Sequence, residues 1–263
     1  MKHQNYFSQK EENKKYARKW MEYVYAKYTI EIMSSRSNTA YYNEDFGIEL
    51  DKRPDNTPAP VMIVKEIDSV TAVFEEAPAI REPKKVCVLN FASYTHPGGM
   101  FIEGSNAQEE CLCRESTLYP VLYNFTSYYK ENGKSKNKAL YRNRALYSPN
   151  IVFERNNNVC FCDVLTCAAP NYTPGKRYGS VSYEENLKAL ESRCKYVLDI
   201  MKCNQVNIPI LGAFGCGVFS QDANTVANIF KTLLLEYNYG FDKIIFAVIP
   251  GPNADAFKQV FSN

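Results

Sequence analysis

An α/β fold, with a largely parallel or mixed sheet covered by helices on both faces, is what this sequence predicts, on three observations. Short, almost continuously apolar runs such as Val86-Cys87-Val88-Leu89 alternate with longer segments whose apolar residues recur at helical period. Glycine-bearing loops follow two of those runs, where an open sheet of this kind binds its ligands. The chain has 263 residues, 45% hydrophobic and 23% charged, enough to bury one large core, and no apolar run approaches the roughly 20 residues of a membrane span.

Taken in order, residues 11–33 carry Tyr16, Trp20, Tyr23 and Val24 as an i, i+4, i+7, i+8 stripe, with Lys14, Lys15, Arg18 and Lys19 on other faces. That spacing predicts an amphipathic helix. Residues 34–60 are polar and hold Arg53-Pro54, Thr57-Pro58 and Ala59-Pro60, which predicts loops and short extended pieces. We therefore expect residues 1–64 to be a helical extension and linker, and residues 65–263 the main domain. Residues 86–92 read as a strand buried on both faces, and 107–122 as one helix with Leu112, Tyr119 and Leu122 near one face. Residues 128–144, charged and poor in aliphatics, are expected to be an exposed excursion. Residues 147–153 and 161–166 follow as strands. The clearest helix is 181–202: Ser182-x-x-Glu185 is a capping box, and Leu187, Leu190, Cys194, Val197, Leu198 and Met201 repeat at helical spacing. A strand over 206–211, a helix over 222–237 closed by Gly240, and a strand over 243–249 complete the pattern.

Charge and composition narrow the function classes. With 31 Lys+Arg against 29 Asp+Glu the net charge is +2, which supplies no basic field, so a nucleic-acid partner is not expected and RNA binding through exposed aromatics ranks last. The start, Met1-Lys2-His3-Gln4-Asn5, has no apolar segment after a basic one, and the nine cysteines are an odd number. Reduced thiols in a cytoplasmic protein, with no membrane partner, are the expectation. Cys111-x-Cys113 and Cys160-x-Cys162 lack zinc-site spacing and the only histidines are His3 and His96, so no metal or other cofactor is expected. The 20 tyrosines and 15 phenylalanines serve mainly as core.

Chemistry is best sought in two loops. After the 86–92 strand comes Pro97-Gly98-Gly99-Met100, and then Gln108-Glu109-Glu110 opening a helix. After the 206–211 strand comes Gly212-Ala213-Phe214-Gly215-Cys216-Gly217-Val218-Phe219, whose glycines leave backbone N–H groups free to curl around a phosphate, next to a helix start. Neither a Rossmann nor a P-loop fingerprint is present. Taken singly, a Gly-Gly pair is ordinarily a turn, and acids in a first helical turn ordinarily complement the dipole.

In combination these segments resemble a known family. Leu89-Asn90-Phe91-Ala92-Ser93, then Pro97-Gly98-Gly99, then Gln108-Glu109-Glu110-Cys111-Leu112-Cys113-Arg114-x-Ser116-x-Leu118-Tyr119 resembles the signature block of the microbial poly(ADP-ribose) glycohydrolases, a catalytic branch of the macrodomain fold. Tyr147-Ser148-Pro149, Ala168-Ala169-Pro170-Asn171 and the 211–219 loop are similar to that family's later motifs in the same order, so the likeness spans about residues 65–250. One departure is that Met100 stands where the family usually has a third glycine, which alters the wall beside the terminal ribose.

The resemblance implies a three-layer α/β/α macrodomain with a mixed central sheet and an N-terminal helical extension, acting as a metal-free glycoside hydrolase on poly(ADP-ribose) or ADP-ribosylated protein and releasing ADP-ribose. Glu110 matches the general acid and Glu109 the residue that holds ribose hydroxyls. Asn90, Gly98, Gly99 and Gln108 match positions around the terminal ribose. Gly215, Cys216, Gly217, Val218 and Phe219 match the diphosphate loop, with Phe219 over the distal ribose. The residue types agree with the chemistry, since a ribose glycoside needs a proton donor and a positioned water. Adjacent helical residues point about 100° apart, so one acid and one positioner is the natural division. His96 and the thiols of Cys111, Cys113 and Cys216 are read as structural. A non-catalytic ADP-ribose-binding macrodomain and a mono-ADP-ribosyl hydrolase are the alternatives. Retention of both glutamates favours the glycohydrolase over a binding module, which needs no acid.

Overall fold

The computed structural model describes residues 2–54, 56, 58–78 and 84–262. Its centre is a seven-stranded mixed sheet: β1 (Ala40–Tyr42), β2 (Val61–Lys65), β3 (Val86–Phe91), β4 (Ala145–Arg155), β5 (Asn158–Cys167), β6 (Ile208–Leu211) and β7 (Lys243–Ala247), in the order β1-β4-β5-β3-β6-β7-β2. The β1–β4 and β4–β5 pairs are antiparallel, and the β5–β3, β3–β6, β6–β7 and β7–β2 pairs parallel. Five adjacent strands therefore end on one edge of the sheet, and the loops that follow them converge there.

Alternation along the strands divides the core in two. On β3, Val86 and Val88 face one helical layer while Cys87 and Leu89 face the other. The first layer comprises α1 (Lys2–Lys27), α2 (Thr29–Asn38), α3 (Ser69–Glu76), α4 (Gln108–Arg114), α5 (Leu118–Tyr123) and α6 (Thr126–Lys134). After the short α7 (Thr173–Tyr178), helices α8 (Tyr183–Cys203), α9 (Ala223–Glu236) and α10 (Pro252–Phe261) cover the opposite face. The same two-residue period carries Asn90 onto the face of Val86 and Val88, beneath α4. Among the described residues no helix is long and apolar enough to cross a membrane.

Several expectations from sequence are corrected. The helix over 11–33 is two helices, parted at Tyr28, whose hydroxyl donates to Glu154 Oε2 at 2.7 Å; the second runs on to Asn38. The helix over 107–122 is also two. Ser116 and Thr117 leave it to bond strand β4: Thr117 N–H donates to the Val152 carbonyl and Val152 N–H to Thr117 Oγ1. Residues 128–144 are not an exposed excursion, because α6 buries Tyr128, Tyr129 and Asn132. Aromatic rings fill there the space that aliphatics would fill elsewhere. Helix α9 ends at Glu236, before Gly240, and α3, α7 and α10 were not foreseen. Residues 40–42 and 61–65 form the two outermost strands of the sheet.

The 181–202 reading holds, since Ser182 Oγ accepts from Glu185 N–H at 3.1 Å and Glu185 Oε2 from Ser182 N–H at 2.8 Å. Removing the capping hydroxyl with Ser182→Ala should cost about 1 kcal/mol, read as a lower urea midpoint at unchanged slope.

Candidate active site

A continuous cleft runs along the carboxyl ends of the parallel strands. Its lobes have volumes of about 250, 300 and 230 Å³ and share Phe91 and Ala107. At one end lie Ser69, Asn106, Ile249 and Asn253, in the middle Gly215, Gly217 and Phe219, and at the other end Glu109, Glu110, Gly99 and Met100. A larger cavity of about 630 Å³ lies elsewhere, between α1 and the β4–β5 hairpin, and contains neither the carboxylates nor the glycine loop. Chemistry rather than size selects the cleft.

The start of α4 is locked to β3. Gln108 Oε1 accepts from Phe91 N–H at 2.8 Å, while its Nε2 donates to the Leu89 carbonyl at 2.9 Å and to Ser69 Oγ at 3.1 Å. Its amide thus pairs with β3 much as another strand would. Glu109, 3% exposed, accepts from Ser93 N–H at 2.6 Å and from Asn90 Nδ2 at 3.2 Å. Glu110, 6% exposed, points away around the helix: its oxygens accept from Met100 N–H and from Ala107 N–H, both at 2.9 Å. Because Ala107 has no side-chain oxygen to cap α4, this last bond is half of a capping box.

Gly99, at φ +60°, is where both carboxylates come closest to the loop: a β-carbon there would run into Glu110 Oε1 and lie 3.0 Å from Glu109 Oε2. Gly98, also at positive φ, packs against Tyr119 and Cys113. The glycine pair therefore lets the backbone lie directly on the acids. Burial pushes the Glu109 carboxyl up to about 8; the Ser93 N–H and the Asn90 amide oppose that rise, and the charge of Glu110 adds to it. Asn90 is fully buried, donates also to Thr166 Oγ1 at 3.3 Å, and has an amide oxygen with no partner among the described residues.

Across the cleft, the glycine loop is shaped by Phe214 N–H to Gly212 O, Cys216 N–H to Ala213 O and Gln221 N–H to Gly215 O bonds. Of the N–H groups expected to be free, those of Phe214 and Cys216 are thus used within the loop. A β-carbon on Gly215 would strike Ala169, whereas one on Gly217, which lines the cleft, would meet nothing within 4 Å. Val218 is 80% exposed beside it. Phe219 packs edge-on against Tyr141 at 5.9 Å, and Tyr141 stacks on Tyr94 at 4.2 Å.

Of the sequence-predicted site residues, Glu109, Glu110, Gly99, Gln108, Gly215, Gly217, Val218 and Phe219 line the cleft, whereas Asn90 lies fully buried beneath it and Gly98 and Cys216 do not line it. Sequence reasoning missed Tyr141, hidden in the segment taken for an excursion, and Ser69, Asn106, Ile249 and Asn253 at the far end; Ser69 and Asn253 lie in the first turns of α3 and α10, two helices it had not foreseen. His96 is exposed, its Nδ1 3.0 Å from Thr95 Oγ1 and its N–H on Ser93 Oγ. Burial pushes the Cys216 thiol up to about 12 and the Cys113 thiol well above its ordinary value, which disfavours thiolate chemistry. Among the described residues no group of His, Cys, Asp and Glu could hold a metal ion.

A mixed sheet between two helical layers, a ligand cleft at its carboxyl edge and a buried carboxyl pair at one end of that cleft define a catalytic macrodomain-like protein. The family described as microbial-type PARG, catalytic domain, matches residues 6–156, and the chain belongs to that family. Among solved structures, the poly(ADP-ribose) glycohydrolase of Thermomonospora curvata is similar over 95% of this chain and 100% of its own, at 26% identity and TM-score 0.84. The same enzyme bound to the inhibitor ADP-HPD is similar at TM-score 0.82. The glycohydrolase of Deinococcus radiodurans in complex with ADP-ribose is similar at 25% identity and TM-score 0.72, covering 88% of this chain and 97% of that one. No curated protein sequence matches the chain.

The raised Glu109 carboxyl makes stability pH-dependent. Below about pH 4.5 folded and unfolded chains both hold its proton; between that value and about 8 only the folded chain does, so its contribution to stability is lost as pH rises through that window. Glu109→Gln should therefore flatten the dependence, gaining on wild type by up to a few kcal/mol between pH 5 and pH 8.5, as read from urea unfolding at each pH.

Proposed function

We propose that this protein hydrolyses the ribose–ribose O-glycosidic bonds of poly(ADP-ribose), releasing ADP-ribose, with Glu110 as general acid. The observation that carries the reading is the buried Glu109–Glu110 pair against the side-chain-free Gly99, at the end of a cleft long enough for an elongated ligand. ADP-ribose lies with its diphosphate along Gly215, Gly217 and Val218, its distal ribose under Phe219 and Tyr141, and its adenine toward Ser69, Asn106, Ile249 and Asn253.

Glu110, as general acid, gives a proton to the oxygen that leaves as the bond to the anomeric carbon breaks, and the ribose passes through an oxocarbenium-like state. Water adds to that carbon and returns a proton to Glu110, so the products are ADP-ribose and a polymer with a free hydroxyl. Glu109, kept neutral near pH 7 by burial, both donates to and accepts from the ribose hydroxyls and adds no second negative charge beside the leaving oxygen. Ser93 N–H and Asn90 hold it in register. Met100, half-exposed at the mouth of this lobe, narrows the approach to the ribose. Placement in the cytoplasm belongs to the same proposal and rests on the sequence alone.

Glu110→Gln preserves volume and hydrogen bonding but cannot act as an acid, so turnover of poly(ADP-ribose) should fall by at least ~10²–10⁴ while ADP-ribose affinity holds. Wild-type protein that binds ADP-ribose yet releases none from the polymer would make this a binding module, and release only from mono-ADP-ribosylated protein would change the substrate. Full turnover by the Glu110→Gln variant would move the acid elsewhere.

A second test addresses the diphosphate. Gly217→Val adds a branched side chain on the open side of the loop, so the fold should survive with an unchanged melting temperature while ADP-ribose affinity drops by ~100-fold or more. Unchanged calorimetric affinity would take the 215–219 loop out of the site.

A further inference from the structure

We propose that Arg193, on α8 and outside the cleft, is the positioning residue of this site: its guanidinium ties together the two loops that set the width of the cleft around the diphosphate and distal ribose. The inference rests on the ADP-ribose reading above. Arg193 is 1% exposed and, among the described residues, has no carboxylate partner. Burying a guanidinium without a counter-charge is costly, and what satisfies this one is a set of acceptors drawn from both loops. Nε donates to Asn143 Oδ1 at 2.7 Å, Nη2 reaches the Leu140 carbonyl at 3.5 Å, and Nη1 donates to the Ala168 carbonyl.

The two carbonyl acceptors each sit next to a residue that lines or underlies the cleft. Leu140 precedes Tyr141, the ring between Tyr94 and Phe219. Ala168 precedes Ala169, the side chain beneath Gly215. The segment that Arg193 grips from one side is under backbone strain: Asn137, Lys138, Ala139 and Tyr141 all have positive φ, between 45° and 70°. Non-glycine residues hold such angles only where their surroundings over-determine them. Here Tyr141 N–H donates to the Lys136 carbonyl, Asn171 N–H to the Ala139 carbonyl, Arg142 N–H to Tyr94 Oη, and Arg193 closes the set from within the core. The 168–172 loop is likewise tied to the glycine loop, through Gln221 Nε2 to the Pro170 carbonyl at 2.7 Å and Tyr172 N–H to the Phe219 carbonyl at 2.9 Å. A planar fork with donors on three nitrogens reaches both loops at once, which a lysine ammonium on the same helix cannot.

The test compares wild type, Arg193→Lys, Arg193→Met and Asn143→Ala, the last of which removes one acceptor and leaves the arginine in place. Circular dichroism and thermal melts establish which variants fold. Calorimetry with ADP-ribose and steady-state hydrolysis of poly(ADP-ribose) are then measured on those. Loosening the clamp should weaken ADP-ribose binding and raise KM by ~10-fold or more in Arg193→Met and several-fold in Asn143→Ala, with kcat at saturating polymer falling less than about threefold. Arg193→Lys should recover thermal stability more than affinity. Should Arg193→Met fail to fold, Asn143→Ala carries the test. Wild-type affinity in the folded variants overturns the inference, as does an equal loss in kcat and 1/KM, which is the mark of general damage. Wild-type protein inert on the polymer defeats the functional reading instead, and ADP-ribose affinity still judges the clamp.

Discussion

The junction between β3 and α4 is the constraint on which the rest of the site depends. Gln108 supplies an acceptor to Phe91 and donors to Leu89 and Ser69, so the first turn of the helix is bonded to the strand by a side chain that imitates backbone. With that turn fixed, the helical period sends Glu109 back toward Asn90 and Ser93, and Glu110 forward onto the Met100 and Ala107 amides. Both acids are then held by N–H donors rather than by cations, an arrangement that keeps them buried without neutralising them by pairing. The Gly98-Gly99 pair is required because the loop must pass over those oxygens at contact distance. Four consecutive features of the sequence, the asparagine, the glycines, the glutamine and the two acids, thus express one packing problem.

What the sequence made legible follows from the range of the forces involved. The capping box at Ser182 and Glu185, the apolar period of α8 and the buried runs of β3, β6 and β7 are local, and each stands where periodicity put it. The breaks at Tyr28 and at Ser116-Thr117 are tertiary: a hydroxyl reaching Glu154, or a backbone exchanging bonds with Val152, overrides a helical pattern that its own neighbours would have continued. The burial of Tyr128 and Tyr129 was invisible for a related reason, since tyrosine serves either core or surface and only the packed partner decides. In the site, residue identity pointed to the acids and the glycine loop through a resemblance spread over several motifs. Tyr141 carried no such signal. Its place on the cleft comes from a run of left-handed backbone held by distant loops.

The cleft has two walls built in different ways. The β3 side is rigid by hydrogen bonding within one strand–loop–helix unit. The glycine-loop side is assembled from three separate segments, 139–143, 168–172 and 212–221, that meet over the end of the sheet and are held from below by α8 through Arg193 and through Asn186, whose amide pairs with that of Gln221 at 2.8–2.9 Å. On the reading proposed above, the chemical groups sit on the first wall and the surfaces that would grip ADP-ribose sit on the second. Changes in ligand preference can therefore accumulate in the second wall without disturbing the placement of the acids.

The two short outer strands carry a consequence of a different kind. β1 pairs along the first three residues of β4, Ala145–Tyr147, whose far half is met by residues 115–117, and β2 covers the edge of β7; both covered strands are apolar on both faces over most of their length. Strands of that character with bare edges pair with other chains. Three residues of β1 and five of β2, both from the segment that precedes β3, thereby move the two outer edges of the sheet from long or deeply buried strands onto short ones, a form of edge that offers other chains little to pair with.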